Sequence, residues 1–241
     1  MSNPSPLVHF YDLSGPQPWS PACWRTRYAL NYKNIPYRVE KLSYPSIAPL
    51  CQSLFPAMPL PRATVPIIQI LEAPQCALND STPIAQLLNE RFTEGDGYRD
   101  LKGVDEVRAY EDEEVRGLGG VILKWIVYDV FENALDGGDG SREYFRRTRE
   151  EFFGCGLEDV VGVRGGGEAV LLEELRGRWA GLRERMRRDD GEGDPTYVDF
   201  YDAANVKWVG AASEEKLQKL MDLYGDDTFV KLMKKVEPWS R

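Results

Sequence analysis

Histidine is almost missing from this 241-residue chain, which has one, His9, and its four cysteines, Cys23, Cys51, Cys76 and Cys155, stand far apart. That set offers no zinc-like ligand pairing and no easy Cys-His nucleophile, so no metal is expected. His9 falls inside the first predicted strand and reads as a strand residue with a satisfied ring. Long apolar runs are also lacking: none approaches the roughly 18 residues of a membrane span. The start, MSNPSPLVHF, has neither the basic region nor the apolar core of a secretory signal. A cytoplasmic chain without a membrane partner is therefore expected. Positive charge is scarce, with 30 Lys and Arg against 39 Asp and Glu and a formal net charge of −9, which argues against a nucleic-acid partner held by phosphate electrostatics.

What charge there is lies unevenly. Residues 1–95 carry seven basic residues (Arg25, Arg27, Lys33, Arg38, Lys41, Arg62, Arg91) and six acidic ones (Asp12, Glu40, Glu72, Asp80, Glu90, Glu94), a sum of +1 that leaves −10 for the remainder. A small anionic ligand meets the first segment more readily than the second. The two segments differ in pattern as well. LVHFYDL is apolar on both faces and suits a central strand. PACWRTRYALNYK reads as a helix ending near Asn34, PYRVEKL as a second strand and SIAPLCQSL as a short helix. After the proline-rich FPAMPLPRATVP come a strand at PIIQIL, a short edge strand around CAL, and a helix opening at NDSTPIAQLLNERF, with Ile84, Leu87, Leu88 and Phe92 on its apolar face. The order βαβαββα implies a mixed sheet covered by helices.

Beyond Gly95 no strand is needed. VDEVRAYEDEEVRGLGGVILKWIVYDVFENAL reads as one long helix, apolar at Val121, Trp125, Tyr128 and Phe131. SREYFRRTREEFF, EAVLLEELRGRWAGLRERMRR, YVDFYDAANVKWVG and EEKLQKLMDLY follow as further helices. DGGDGS and VRGGGE read as exposed loops, since they share only glycine content with phosphate-cradling loops. Thr196 stands three residues before Asp199, a spacing suited to a capping box, and carries a folding signal rather than chemistry. The expected architecture is α/β plus all-α: a βαβαββα domain over residues 1–95, then an all-helical domain over residues 101–241.

Four local features combine into a recognisable pattern. WSPACW, residues 19–24, lies where the first strand hands over to a helix, with Ser20 suited to the N-cap and Pro21 to the first helical position. Thr64-Val65-Pro66 precedes the third strand, Asp80-Ser81 opens the third helix, and the Thr-x-x-Asp box follows at 196–199. In this order, within this pattern of elements, the chain resembles a cytosolic glutathione S-transferase, with a thioredoxin-like first domain. PWSPACWRTRYALNYKNIPYRVE and EEFFGCGLEDVV are similar to the fungal etherase-related (FuA-like) branch, whose bacterial relatives cleave lignin β-aryl ethers. That branch's motif runs roughly Ser-Pro-Asn-Thr-Trp. Here Ala22 and Cys23 replace the Asn and Thr, and the usual apolar stretch before the capping box is the short, polar GEGDP.

The resemblance implies glutathione as substrate or cofactor, Ser20 as the catalytic residue, and Val65, Pro66, Asp80 and Ser81 as glutathione-binding residues. The Val65-Pro66 bond is cis by the same resemblance, turning the Val65 backbone toward an extended ligand. Asp80 and Ser81 can take the γ-glutamyl end at a helix start, although plain N-capping reads from the same two residues. A free thiol has a pKa near ~8.5, and a downward shift of about two units takes roughly 2.7 kcal/mol. A helix amino terminus supplies roughly 0.3–1 kcal/mol and a hydrogen bond to a charged group roughly 1.5–3 kcal/mol, so hydroxyl and helix end together meet the need. The implied activity is attack of the thiolate on a small hydrophobic electrophile. Double-bond isomerisation without loss of glutathione, and non-catalytic ligand carriage, stand as alternatives, and a homodimer is the expected assembly. Ser20-Pro21-Ala22-Cys23 also has the spacing of Cys-x-x-Cys without its first cysteine. Cys23 lies one turn inside the helix and reads as buried rather than reactive. Trp19, Trp125 and Tyr128 read equally as pocket, core or subunit contact and receive no role.

Overall fold

All six residues of β1 (Val8–Leu13) are buried, as its two-faced apolarity requires of a central strand. In the computed structural model, which describes residues 5–56, 63–110, 116–189 and 193–241, the sheet order is β2-β1-β3-β4. β2 (Tyr37–Leu42) runs parallel to β1, with Val8 opposite Tyr37, and β3 (Ile67–Ile70) runs antiparallel, with Val8 opposite Ile70. β4 (Cys76–Asn79) closes the far edge antiparallel to β3. The parallel β1–β2 pair needs a crossover, which α1 (Pro21–Lys33) supplies.

The ends of α1 follow from its sequence. Ser20 caps it by accepting from the Cys23 N–H, Pro21 occupies a position whose N–H has no helical partner, and Asn34 ends it in the left-handed conformation at φ 57°. α2 (Tyr44–Leu54) starts two residues before the expected segment, and α3 (Ser81–Arg91) buries Ile84 and Leu88 while Phe92 packs just past its end. This order matches the thioredoxin-like pattern read from the sequence.

The remainder is helical, with no strand among the described residues. In chain order come α4 (Val104–Tyr110), α5 (Arg116–Asn133), α6 (Ser141–Phe153), α7 (Val160–Val163), α8 (Glu168–Arg178), α9 (Ala180–Arg188), α10 (Tyr197–Ala212), α11 (Glu214–Met221) and α12 (Thr228–Val236). Several expectations need correction. Tyr128 is exposed, because the buried face of α5 runs through Leu118, Ile122, Trp125 and Ile126. The segment read as one helix over 168–188 breaks at Trp179, whose indole docks on Asp202 Oδ1 at 2.9 Å and edge-on against Phe229, so tertiary docking overrides local propensity. α12 has no counterpart in the sequence reading, although Phe229, Leu232 and Val236 recur at i, i+3 and i+7. The continuity of the expected helix through 111–115, half of the proline-rich segment (57–62) and part of GEGDP lie outside the described residues.

α10 forms the centre of the helical part, and its capping box is complete: Thr196 Oγ1 accepts from Asp199 N–H while Asp199 accepts from Thr196 N–H. Its buried face meets α1, where Phe200 stacks on Tyr28 at 4.9 Å between ring centroids. Further ties join the two parts. Tyr197 hydroxyl donates to Ser81 O at 2.9 Å, and Asn31 Nδ2 donates to Trp239 O and Arg241 O, both at 2.7 Å. DGGDGS is not simply an exposed loop. Ser14 Oγ donates to Asp139 Oδ2 at 2.5 Å, and Tyr44 N–H donates to Ser141 Oγ at 3.1 Å. Nearby, a Cβ at Gly15 would stand 2.5 Å from Ala134 O, so only glycine permits this approach of the two parts. VRGGGE likewise ends in an anchor, Glu168, which accepts from Trp125 Nε1 at 2.9 Å and pairs with Lys219.

Candidate functional site

The loop between β1 and α1 places Ser20 at the mouth of a cleft of about 600 Å³ between the α/β part and the helices. Leu13, Ser20, Tyr44, Ile47, Ala63, Thr64 and Val65 form one wall; Leu123 of α5 and Tyr144, Thr148, Arg149 and Phe152 of α6 form the other. Ser20 is buried at the head of α1, and its Oγ accepts from Cys23 N–H at a long 3.4 Å. That weak bond uses an acceptor site and leaves the hydroxyl proton to be donated.

Cys23 also lies within hydrogen-bonding range of Ser20 and Asp12. Burial first, then the Asp12 carboxylate, pushes its thiol well above the ordinary range, and the Ser20 bond only partly opposes this. The thiol is therefore protonated at neutral pH, in keeping with the buried reading. Behind it, Asp12 and Arg27 form a buried ion pair at 2.7 Å.

Among the other residues singled out in the sequence, Val65 shares the cleft wall with Ser20, and the Val65-Pro66 peptide is cis. A second cis bond, Ala73-Pro74, was not anticipated. Asp80 N–H donates to Pro66 O at 3.1 Å, which ties the head of α3 to that turn. Asp80 holds φ 76° and its side chain makes no capping hydrogen bond, so the plain capping reading fails for it. The residue is exposed, and a positive φ on an aspartate is a strained feature of the sort that accumulates at binding sites. Ser81 is buried, with its carbonyl taken by Tyr197 across the domain boundary. Pro66, Asp80 and Ser81 do not line the cleft itself.

The far wall was not singled out in the sequence. Tyr144, Thr148 and Phe152 recur every four residues along α6, and that i, i+4, i+8 stripe was the available signal. Tyr44 stacks on Tyr144 with centroids 5.4 Å apart and 13° between planes. Burial raises the Tyr44 phenol to about 12, against a smaller opposing effect from Arg149. Trp19 and Trp125 are core residues and Tyr128 faces outward; none of them lines the cleft. No group of three or more potential metal ligands occurs among the described residues, and no helix among them is long and apolar enough to cross a membrane.

Comparison with known proteins bears on this geometry. Residues 19–91 match the glutathione S-transferase amino-terminal domain family, and residues 110–239 match the glutathione S-transferase carboxy-terminal domain family. The glutathione S-transferase-like protein ustS of Aspergillus flavus is 32% identical over 254 residues, covering 91% of this chain and 86% of that protein. Among solved structures, glutathione transferase GSTFuA2 of Phanerochaete chrysosporium superposes with a TM-score of 0.82 at 26% identity, covering 98% of this chain and 99% of that one. A glutathione S-transferase of Ceriporiopsis subvermispora, solved in complex with glutathione, gives a TM-score of 0.71 at 25% identity over 97% of both chains. Since both parts of the fold are matched separately and one relative aligns along nearly the whole sequence, the chain belongs to the glutathione S-transferase family.

Proposed function

We propose that this chain activates the thiol of glutathione at Ser20 and transfers it to a hydrophobic electrophile held in the cleft. In this reading residues 1–95 form the domain that holds the tripeptide, and residues 101–241 form the helical domain that supplies the opposite wall. The observation that carries it is the position of Ser20: a hydroxyl at the amino terminus of a 13-residue helix, with a proton to donate, facing a cleft of about 600 Å³. Helix end and hydroxyl act on the same sulfur, the combination that brings a thiol pKa toward neutrality. Val65 lies on the same wall, where its backbone groups can pair with the cysteinyl residue of an extended tripeptide. Asp80 and Ser81, joined to Pro66 by the Asp80 N–H, then receive the γ-glutamyl end. The bound form of glutathione in the Ceriporiopsis relative supports the ligand, and the aromatic far wall supports an apolar second substrate. Action in the cytoplasm and as a homodimer belongs to the same reading through family resemblance.

Calorimetry with glutathione, together with a conjugation assay on wild type and Ser20→Ala, tests the reading. Binding at submillimolar concentration is expected, with turnover at neutral pH falling about tenfold to a hundredfold in Ser20→Ala and the pH–rate profile displaced upward. Full turnover in Ser20→Ala would misplace the sulfur. Binding with no conjugation, ether cleavage or isomerisation of any electrophile would leave a ligand carrier. Conversion of a polyene with glutathione returned unchanged would make the enzyme an isomerase.

A further inference from the structure

Among the described residues that line the cleft, Arg149 provides the only charged side chain. Its guanidinium lies 4.8 Å from the Phe145 ring centroid and 5.7 Å from that of Tyr44, and Nη1 donates to Thr148 Oγ1 at 3.0 Å. Arg147, outside the cleft lining, lies 5.4 Å from the Tyr144 ring centroid, while two other arginines of α6 are spent on carboxylates: Arg142 on Glu132, and Arg146 on Glu150 and Glu158. Among the described residues Arg149 has no such partner. Nor does Tyr44 neutralise it, because the raised phenol stays protonated at neutral pH. A half-buried positive charge framed by aromatic rings is thus left facing the cleft.

We infer that Arg149 is the specificity-determining residue of the far wall, and that the second substrate is an aromatic or conjugated electrophile carrying a carboxylate. The inference rests on the glutathione reading above for the reaction, but not for the anion site. A guanidinium takes a carboxylate through two parallel N–H donors, and Tyr44, Tyr144 and Phe152 offer faces for a flat apolar body. The tripeptide is assigned to Ser20, Val65, Asp80 and Ser81 of the α/β part, whereas Arg149 stands on the helical wall. With a carboxylate-bearing enone as substrate, the thiolate sulfur bonds to the β carbon, the alkene π pair becomes the bond from the α carbon to the carbonyl carbon, and the C=O π pair moves onto oxygen as an enolate. The α carbon then takes a proton from water, whose hydroxide is neutralised by the proton the thiol released, so nothing is oxidised or reduced.

The test uses the full chain without glutathione. Calorimetry compares biphenyl-4-acetate with its uncharged carboxamide on wild type, Arg149→Gln and Arg149→Lys. Wild type is expected to prefer the acid, and Arg149→Gln to weaken the acid about tenfold to a hundredfold while moving the amide by less than about threefold. Arg149→Lys should keep part of the preference, which also controls for misfolding of the glutamine variant. A second arm follows glutathione conjugation of ethacrynic acid and its methyl ester, where the acid-to-ester ratio of kcat/KM should fall toward one in Arg149→Gln. Equal binding of acid and amide by wild type, or parallel losses in the glutamine variant, would overturn the inference. Weakened glutathione binding in Arg149→Gln with the acid preference intact would overturn it too, since the anion recognised would then be the tripeptide's own. An Arg149-dependent acid preference in a protein that does not take up glutathione would sink the glutathione reading and leave the anion site standing.

Discussion

Removing Asp12 probes the ion pair on which the Ser20 junction is built. Asp12 is 1% exposed and Arg27 9%, and their contact is 2.7 Å. Asp12 also accepts from Leu13 N–H at 2.7 Å, at the end of the central strand. Arg27 Nε has no hydrogen-bond partner among the described residues, and the guanidinium lies beside Phe10 and Trp24. Asp12→Ala therefore leaves a buried cation without its counter-charge, with the Tyr37 hydroxyl as a polar neighbour beside these rings, a change that costs roughly 3–5 kcal/mol. Against a typical total of about 5–15 kcal/mol, this is a large fraction. At about 2–4 °C per kcal/mol for a chain of this size, the midpoint should fall by about 6–20 °C. The assay is a double-mutant cycle read by thermal and urea unfolding. Asp12→Ala/Arg27→Met is expected to be more stable than Asp12→Ala alone, because the stranded charge has gone with its partner. Losing the carboxylate that raises the Cys23 thiol should also speed its alkylation by iodoacetamide. A single-mutant cost below about 1 kcal/mol, or strictly additive single effects, would refute the reasoning.

Two pH effects follow from named groups. His9 takes Arg38 Nη2 on Nδ1 at 3.1 Å and faces Glu40 with Nε2 at 3.1 Å, an arrangement satisfied by the neutral ring protonated on Nε2. Burial first, then Arg38, lowers its pKa below the ordinary 6.5, against opposition from Glu40. The unfolded chain then binds the proton more tightly, so this contribution to stability is present above pH 6.5 and is lost as pH falls toward the folded pKa. With one histidine in the chain, an NMR titration reports this ring alone, and a midpoint at or above 6.5 would contradict the assignment. Asp226 is depressed to about 2 by Thr228, whose hydroxyl and N–H it accepts at 2.6 and 3.1 Å, and by Arg183 at 2.8 Å. Its contribution is full above the unfolded value of 3.8 and disappears as pH falls through about 2. After allowance for solvent screening it amounts to about 1 kcal/mol. Asp226→Asn should flatten the acid limb of the stability curve by that amount, and an unchanged limb would count against the pairing.

How far the sequence discloses this molecule depends on the range of the interactions. Ser20, Pro21 and Asn34 define α1 through contacts within a few residues, and Thr196 and Asp199 cap α10 the same way, so both helix starts were legible. β1 announced itself as central because both of its faces are buried. The far wall was not legible, since Tyr144, Thr148 and Phe152 read as one side of an ordinary helix until α2 is packed against them. Trp179 carried no mark of a helix break, because its cause is Asp202, 23 residues on. The unused side chain and positive φ of Asp80 are likewise tertiary facts, set by the turn at Pro66 rather than by the residues beside it.

The bonds joining the two parts have a consequence for traffic through the cleft. Ser14 to Asp139, Tyr44 to Ser141, Tyr197 to Ser81 and Asn31 to the final residues pin the lobes at separated places. These fastenings start from four different segments of the α/β part, the β1–α1 loop, α2, α3 and α1, so opening the cleft as a hinge would break several of them. Admission of a bulky guest then falls to rotation of individual side chains, foremost Phe152, which stands 74% exposed at the rim. Passage should accordingly be fast for slender molecules and selective by girth, with the lobes themselves nearly still.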